Sequence, residues 1–501
     1  KRIPNGDSLE EKFCNCLSSE NVASQKGLVE MFDSTVGRST VLMPYGGMTQ
    51  STETQVSVQK LPVDGFTDTA SMMAFGYNPD ITSWSPFHGA AYSVVEACAK
   101  LVAAGGEWSG MRFSYQEYFE RMTHDPHSWG KPLSALLGAL KMQDELGLPS
   151  IGGKDSMSGT FEDISVPPTL IAFGINTVKA SKVISPELKW DGDKLYLIKH
   201  TPKANYLPDV DQLKRNWDFV HEGIENGSIV SAWALGFGGI AEGLSKMSFG
   251  NEFGVKINCP EEELFNLSYG SIIVESNSDF DFPNAVLLGE VTDGEDGYLH
   301  VNGEKLSLDT LKAAWCRRYN DVYPQTAAAD AKACPGSAGA AGKTGTAKPA
   351  ERTDSPLVYL PVFPGTNCDY DTEKAFRKAG ARTRFGVFCN LSGKDVLESI
   401  ERMCKDISEC QILALSGGFS SGDEPDGSGK FIANVLNNKL VASEIHKLLD
   451  RGGLILGICN GFQALVKSGL LPYGKSGMLT AESPTLFRNN INRHISQMVT
   501  T

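Results

Sequence analysis

The sequence predicts two folded parts of different class, an α+β region and, after a linker, an α/β doubly wound domain. Before residue 326, short strand-like runs are mixed with longer helical patterns. Residues 326–354 consist almost entirely of small and polar residues, with no large apolar side chain. After them, short and continuously apolar runs alternate with helical segments, which is typical of a parallel sheet buried on both faces. A segment without apolar side chains cannot offset its ordering entropy, so 326–354 is predicted to be flexible.

Length and composition limit the function classes. A chain of 501 residues is expected to hold about two to four domains. Its net charge of −14 argues against a nucleic-acid partner, and no apolar run approaches the ~20 residues that a membrane crossing requires. The 11 cysteines lack metal-type spacing, so we expect reduced thiols and a cytoplasmic location. Because the chain opens on Lys1 without a signal segment, we expect a fragment of a longer protein.

The α+β region is predicted to contain both element types and one subdivision. Its predicted strands are 54–60, 170–176 and 194–198, and its predicted helices are 92–103, 133–146 and a segment after Gly238-Gly239. A boundary near 182–191 divides this region into residues 1–185 and 186–325.

The α/β domain is predicted to span residues 355–501. Its apolar strands are 357–362, 412–415 and 454–458, and its helices include 372–379 and 462–467.

Cys459 is the candidate nucleophile of this domain. It follows a predicted strand directly within Gly457-x-Cys459-Asn460-Gly461, the pattern of a nucleophile elbow. The small flanking residues permit a tight turn, and the helix that starts there places its N-terminal dipole beside the sulfur, which favours the thiolate. A lone cysteine after a core strand is more often a buried structural residue, but the two glycines favour the nucleophile. A second glycine pair ends strand 412–415, where backbone N–H groups near Gly418 can meet an oxyanion.

Three carboxylates upstream are candidate metal ligands. They are Asp64, Glu96 in a predicted helix, and Asp155 in the turn Gly152-Gly153-Lys154-Asp155. A glycine-rich turn with a lysine and an acid suits phosphates and Mg²⁺. It is not a Walker A sequence, so the turn by itself is equally consistent with a nucleotide site and with an ordinary loop.

The C-terminal domain resembles the class I (triad) glutamine amidotransferases, in the form that is fused to formylglycinamidine synthase. The resemblance is carried by Gly417-Gly-Phe-Ser-Ser-Gly-Asp423, by residues 367–371 and by Arg488-Asn489-Asn490. It implies that Cys459 attacks the amide of glutamine, forms a thioester and releases ammonia. The same resemblance implies an oxyanion site at the backbone N–H groups of Gly418 and Asn460.

Residues 26–320 resemble the second half of the duplicated synthase region of the large single-chain phosphoribosylformylglycinamidine synthases, whose fold is shared with aminoimidazole ribonucleotide synthetase. The matching stretches are 26–30, 40–44, 152–158 and 166–169. The resemblance implies ATP and Mg²⁺ as cofactors, with three converging metal ligands and four residues at the nucleotide. Those ligands are Asp64, Glu96 and Asp155, and the nucleotide residues are Gly152, Gly153, Lys154 and Lys100.

Two departures from that family pattern indicate a divergent, structural copy. Lys100 stands where the family often has Asn, so its ammonium can replace a metal charge. Residues 234–237 read Ala-Leu-Gly-Phe where an HD-type motif is expected.

The implied reaction is the ATP-driven conversion of formylglycinamide ribonucleotide to its amidine with ammonia from glutamine, and the missing first synthase half is the expected partner. One alternative is a catalytically inactive regulatory or scaffold protein. Another is a synthetase making GMP or CTP, which would need a pyrophosphatase or P-loop signature that the sequence lacks.

The family's triad His and Glu are not matched: His494 has no neighbouring acid and is predicted to lie on an edge strand. We therefore expect that this chain alone does not hydrolyse glutamine.

Overall fold

The computed structural model describes residues 3–35, 39–325, 353–422, 429–486 and 489–496. The chain forms two compact units, the first from residues 1–326 and 494–501, and the second from residues 327–493. Most of the predicted linker, residues 326–352, lies outside the described residues, as do Arg488 and Asp423 of the motifs. Within the described ranges, no helix combines the length and apolarity that a membrane crossing requires.

The first unit is α+β, as predicted. Its helices are α1 (Leu9–Leu17), α2 (Lys26–Val29), α3 (Pro79–Trp84), α4 (Pro86–Ala103), α5 (Pro126–Leu146), α6 (Val210–Asn226), α7 (Gly239–Phe249), α8 (Glu261–Leu264) and α9 (Leu308–Arg317). Its strands are β1 (Tyr45–Gly46), β2 (Thr52–Glu53), β3 (Ser57–Lys60), β4 (Thr69–Gly76), β5 (Arg112–Tyr118), β6 (Ser150–Lys154), β7 (Thr160–Phe161), β8 (Ile164–Ser165), β9 (Thr169–Lys179), β10 (Lys194–Ile198), β11 (Ile229–Ala234), β12 (Gly254–Ile257), β13 (Ile272–Ser276), β14 (Ala285–Thr292), β15 (Tyr298–Val301) and β16 (Glu304–Ser307).

Two larger sheets organise this unit. A five-stranded sheet has the order β3-β4-β9-β5-β6, and a seven-stranded sheet has the order β11-β13-β10-β14-β12-β15-β16. The predicted subdivision at residues 185/186 falls between β9 and β10, which belong to different sheets. Helix α4 packs on β4 and β9, and it is apolar almost all round because it is buried on nearly every side.

The second unit is a doubly wound α/β domain, as predicted. Its strands are β17 (Leu357–Val362), β18 (Arg382–Val387), β19 (Ile412–Leu415) and β20 (Leu454–Gly457). Its helices are α10 (Asp369–Lys378), α11 (Gly393–Glu409), α12 (Lys430–Leu436), α13 (Lys439–Asp450), α14 (Asn460–Ser468) and α15 (Leu470–Tyr473). The strand order is β18-β17-β19-β20 and every pair is parallel. The carboxyl ends of all four strands therefore meet at one edge, where α/β proteins commonly place their sites.

The strand predicted at 54–60 was wrong in part, and the strand predicted at His494 was wrong. The strand predicted at 54–60 begins only at Ser57, because the chain bends at Gln55, whose side-chain amide exchanges two 2.9 Å hydrogen bonds with the backbone of Ala234. His494 does not lie on a strand in the described residues. The amide of Ser496 instead donates to the backbone oxygen of Glu30 at 2.7 Å, and this contact holds the segment in the first unit.

Candidate functional site

Cys459 lies at the junction of β20 and α14 with an unusual backbone. Its φ of 49° and ψ of −105° fall in a region that non-glycine residues rarely adopt. A Cβ on Gly461 would collide with the backbone oxygen of Leu415, and one on Gly457 would lie 2.6 Å from Cδ1 of Leu465. The glycines therefore let α14 pack directly against the sheet. The turn leaves Cys459 exposed at the first turn of α14, as a nucleophile elbow requires.

The loop that follows β19, residues 416–422, lies beside this elbow and is called the glycine loop below. The point where a Cβ of Gly417 would stand is 3.5 Å from Cβ of Cys459. Gly418 has a φ of +139° and pairs with Thr366 in an isolated bridge, so only glycine suits its close approach to the loop after β17. The structure thus brings the predicted nucleophile and the predicted oxyanion loop to the same edge of the sheet.

Asn460 connects the two loops through its side chain. Its Oδ1 accepts a 3.2 Å hydrogen bond from the backbone N–H of Ser420, and its Nδ2 donates to Oε1 of Gln463 at 3.2 Å. Asn460 is buried, so this link is protected from water. The buried amide fixes the glycine loop against the start of α14. Backbone N–H groups on both segments can therefore keep a constant spacing, which is the condition for a preorganised oxyanion site.

In the first unit, the carboxylate of Glu96 already has partners. Its Oε1 lies 2.8 Å from Nζ of Lys100, one turn along α4, and its Oε2 accepts the N–H of Tyr77 at 2.9 Å. Lys100 also donates to the backbone oxygen of Phe75 at 2.9 Å. Burial raises the pKa of Glu96, while the ammonium of Lys100 opposes that shift. The ammonium of Lys100 therefore occupies the position next to this carboxylate.

A second internal cation stands on α7. Nζ of Lys246 lies 2.8 Å from Oε1 of Glu242 and 2.8 Å from Oε2 of Glu53. Oε2 of Glu242 accepts the N–H of Gly238 at 2.8 Å. Lys246 is almost fully buried, yet the two carboxylates raise its pKa against the opposing effect of burial. Helices α4 and α7 thus each carry a buried Glu-Lys pair four residues apart.

Asp64, Glu96 and Asp155 do not form one cluster, in contrast to the predicted convergence. Asp64 and Asp155 are exposed, whereas Glu96 is buried in α4. Among the described residues, no group of three or more His, Cys, Asp or Glu side chains is placed to hold a metal ion. Lys100 forms an ion pair with Glu96, and the carboxylate near Glu96 is Glu242 rather than Asp64 or Asp155. These residues do not fit the Mg²⁺ site that the family pattern implies.

The predicted phosphate turn lines a surface cleft of about 300 Å³. Gly152, Gly153 and Lys154 form part of its wall together with residues of β5. Nζ of Lys154 turns back to the backbone oxygen of Asp155 at 2.9 Å and to the hydroxyl of Ser156. Lys100 does not line this cleft.

Residues 355–501 match the sequence profile of the CobB/CobQ-like glutamine amidotransferase domain. The chain is 42% identical over 130 residues to the phosphoribosylformylglycinamidine synthase subunit PurQ of Dehalococcoides mccartyi, covering 26% of this chain and 46% of that protein. It is 40% identical over 117 residues to the PurQ subunit of Methanococcus maripaludis, covering 23% of this chain and 39% of that protein. The C-terminal part of this chain is therefore similar to that amidotransferase family.

The chain spans less than half the length of these two curated relatives. Among solved structures, Thermotoga maritima PurL complexed with FGAR is 14% identical, with a TM-score of 0.43, covering 62% of this chain and 54% of that one.

Two groups near these sites escaped the sequence analysis. Glu117 lies in β5 beside Asp155; it is buried, and its Oε1 has no hydrogen-bond partner among the described residues. Burial, and then the nearby Asp155, raise the pKa of Glu117 to about 7. The sequence pattern could have revealed Glu117. Alternate residues of a strand point to the same face, so Glu117 follows the buried positions Phe113 and Tyr115 on the inner face of β5. In the second unit, the sequence analysis included Cys368 in the segment 367–371 but gave its thiol no role, although it follows a Pro-Gly turn at the end of a core strand.

Proposed function

We propose that this chain is part of a phosphoribosylformylglycinamidine synthase in which the second unit releases ammonia from glutamine. The observation that supports this most is the elbow at Cys459, placed beside the glycine loop and linked to it through buried Asn460. The PurQ relatives are subunits of a synthase with that name, which gives the substrate class.

The chemistry at the elbow is acyl transfer to sulfur. The Cys459 thiolate attacks the side-chain amide carbon of glutamine, and the amide oxygen gains negative charge. The N–H groups of Gly418 and Asn460 are proposed to stabilise that oxyanion. The proton that the Cys459 thiol gave up is transferred to the amide nitrogen, and collapse of the intermediate then expels ammonia and leaves a γ-glutamyl thioester. Water hydrolyses the thioester to glutamate.

Ammonia is proposed to serve the ATP-driven conversion of formylglycinamide ribonucleotide to formylglycinamidine ribonucleotide. ATP would activate the formamide oxygen, and ammonia would displace it. In the first unit, support for a nucleotide is confined to the cleft at Gly152, Gly153 and Lys154.

The first unit is proposed to be a structural copy of a synthase half. Lys100 and Lys246 neutralise the buried carboxylates of Glu96 and Glu242 without a metal ion. Catalytic Mg²⁺ and its ATP would then be held by the other synthase half.

A surface suited to that other half lies on the five-stranded sheet. Strands β4 and β9 bury one face against α4, while the opposite face exposes Met73, Phe75 and Ile175. Contiguous exposed apolar side chains mark interaction surfaces. We propose that the partner synthase half covers this face.

The test uses the full-length protein with Cys459→Ser and the matched control Cys389→Ser. Glutamine-dependent formation of the amidine should be lost in Cys459→Ser, while formation from added ammonium salts persists. Cys389→Ser should retain both activities, because Cys389 belongs to the loop after β18. Glutamine-dependent turnover in Cys459→Ser would refute the role of Cys459. An unsubstituted protein without either activity would favour the inactive scaffold instead.

A further inference from the structure

The glycine loop separates Cys459 from a second cysteine at the same edge of the sheet. Cys368 lies at the end of the loop between β17 and α10, directly before the helix. That loop is bound to the glycine loop: the N–H of Phe419 donates to the backbone oxygen of Gly365 at 2.9 Å, and Thr366 pairs with Gly418. Since β17, β19 and β20 are neighbours in a parallel sheet, the segments that follow them meet above one edge.

Both cysteines lie next to the position that a side chain at residue 417 would occupy. The position that a Cβ of Gly417 would occupy is 3.4 Å from Sγ of Cys368, 3.8 Å from its Cβ and 3.5 Å from Cβ of Cys459. Because residue 417 has no side chain, no atom of this loop fills that point. A disulfide needs Cβ atoms about 3.5–4.5 Å apart and sulfurs about 2.05 Å apart. Rotation of the two side chains and an approach of the two loops are the movements required.

The two thiols differ in their surroundings. Cys459 is exposed at the N-cap of α14. Cys368 is half-buried, and its thiol donates to Oδ1 of Asn367 at 3.1 Å. Burial raises the pKa of Cys368, and the neighbouring Asp371 raises it further. The raised pKa keeps the Cys368 thiol protonated, and a protonated thiol is oxidised slowly.

We propose that Cys368 is a resolving cysteine, which forms a disulfide with Cys459 when hydrogen peroxide oxidises the nucleophile. This pairing makes the elbow a reversible redox switch: the disulfide removes the thiolate that glutamine requires, and a dithiol reductant restores it. The disulfide also protects Cys459 from irreversible oxidation to the sulfinic and sulfonic acids.

The two steps balance. The Cys459 thiolate attacks one peroxide oxygen, the S–O bond forms and the O–O bond breaks, and hydroxide leaves with a proton as water. Cys459 becomes a sulfenic acid while the peroxide is reduced by two electrons. The sulfur of Cys368 then attacks the sulfenic sulfur, the S–S bond forms, and the S–O bond breaks. The leaving hydroxide takes the Cys368 proton as a second water.

Peptide mapping of this chain tests the proposal without any assay of activity. The reduced chain is treated with hydrogen peroxide, alkylated and digested with trypsin. Cleavage gives residues 353–374 and 452–467, each of which holds one cysteine. We expect a cross-linked pair of these two peptides, and we expect dithiothreitol to separate them. Cys389→Ser, which removes another partly exposed thiol of the same unit, should form the same cross-link.

Cys368→Ser gives the second readout. Without the resolving thiol, peroxide should convert Cys459 to sulfinic and sulfonic acids that dithiothreitol does not reverse. If the unsubstituted chain yields no cross-linked peptide, and its Cys459 overoxidises as fast as in Cys368→Ser, the proposal is wrong. The loss of glutamine-dependent turnover in oxidised full-length protein rests on the proposed function, whereas the cross-link does not. The two ideas can therefore fail separately.

Discussion

Nζ of Lys100 lies 2.8 Å from Oε1 of Glu96, and the two side chains are only 12% and 7% exposed. On the surface of a helix such a pair contributes little, because water screens both charges. Here the carboxylate of Glu96 is buried, and each partner is held by a backbone group as well, Lys100 by Phe75 and Glu96 by Tyr77. Removing Lys100 leaves the charge of Glu96 buried without compensation. The pair is therefore a sensitive position in the first unit.

Lys100→Met should destabilise the first unit by about 3–5 kcal/mol, the range found when one partner of a buried pair is removed. Urea unfolding followed by tryptophan fluorescence measures this unit selectively, because all 7 tryptophans of the chain lie between residues 84 and 315. The control is Lys141→Met in α5, whose partner Glu145 is also four residues along and whose pair is 36% and 33% exposed. Lys141→Met should lower the free energy of unfolding by about 0.5 kcal/mol or less.

The double variant Glu96→Gln with Lys100→Met should recover part of the loss, since it removes the buried charge altogether. If Lys100→Met is as mild as the α5 control, the ion pair is not what compensates Glu96.

Glu117 should make the stability of the first unit depend on pH. The pKa of its buried carboxyl is raised to about 7, whereas an unfolded glutamate titrates near 4.5. Between those values the folded state keeps a proton that the unfolded chain has lost, so the free energy of unfolding falls as pH rises and levels off above about 7.

Glu117→Gln should remove this slope. At pH ~8 the variant should be more stable than the unsubstituted chain by about 1 kcal/mol, a value reduced for solvent screening, and near pH ~4.5 the two should be alike. Urea midpoints across that range measure it, and Asp163→Asn serves as the exposed control. An unchanged slope in Glu117→Gln would assign the pH dependence to other groups.

Gly461 should tolerate no side chain, because its Cβ would meet the backbone of β19. Gly461→Ala should destabilise the second unit by about 1–3 kcal/mol, as overpacking does. Gly393→Ala is the control: it stands at the start of α11 with open space around it and should be neutral or stabilising by up to ~1 kcal/mol. Hydrogen exchange of peptides from α14, measured by mass spectrometry, reports the difference. Equal exchange in the two variants would contradict the close packing.

Local features of the site could be predicted from the sequence, and long-range ones could not. The elbow at Cys459 is encoded within five consecutive residues, and the apolar run of β19 specifies a buried strand by itself. The arrangement of Asp64, Glu96 and Asp155 depends on tertiary packing, and the same helix supplied a nearer partner to Glu96. Sequence periodicity does not encode which charge a buried carboxylate will meet.

The His494 strand prediction failed for a related reason. Alternating side chains at 495, 497 and 499 resemble an edge strand, but a strand also needs a neighbour with free backbone groups. In the described residues, this segment bonds to Glu30 and Asp33 of the first unit instead.

The chain alone should not hydrolyse glutamine, because in the part of the second unit that the structure describes no histidine is hydrogen-bonded to Cys459. A cysteine nucleophile of this type needs a His to take its proton and an acid to orient that His. The second unit has one histidine, His446 in α13, and its Nε2 accepts the N–H of Ser476 at 3.3 Å. His494 belongs to the first unit, where its Nε2 lies 3.2 Å from Oδ1 of Asp33.

Glutamate release by the purified chain should therefore equal the background given by Cys459→Ser, with and without the synthase substrates. Iodoacetamide should still label Cys459 in the same preparation, because the thiol is exposed in the folded unit. Turnover above that background would contradict the prediction, and two further variants would then locate the base. Loss of turnover in His446→Asn would place the base on α13. Loss in His494→Asn alone would show that the C-terminal segment reaches the elbow during catalysis.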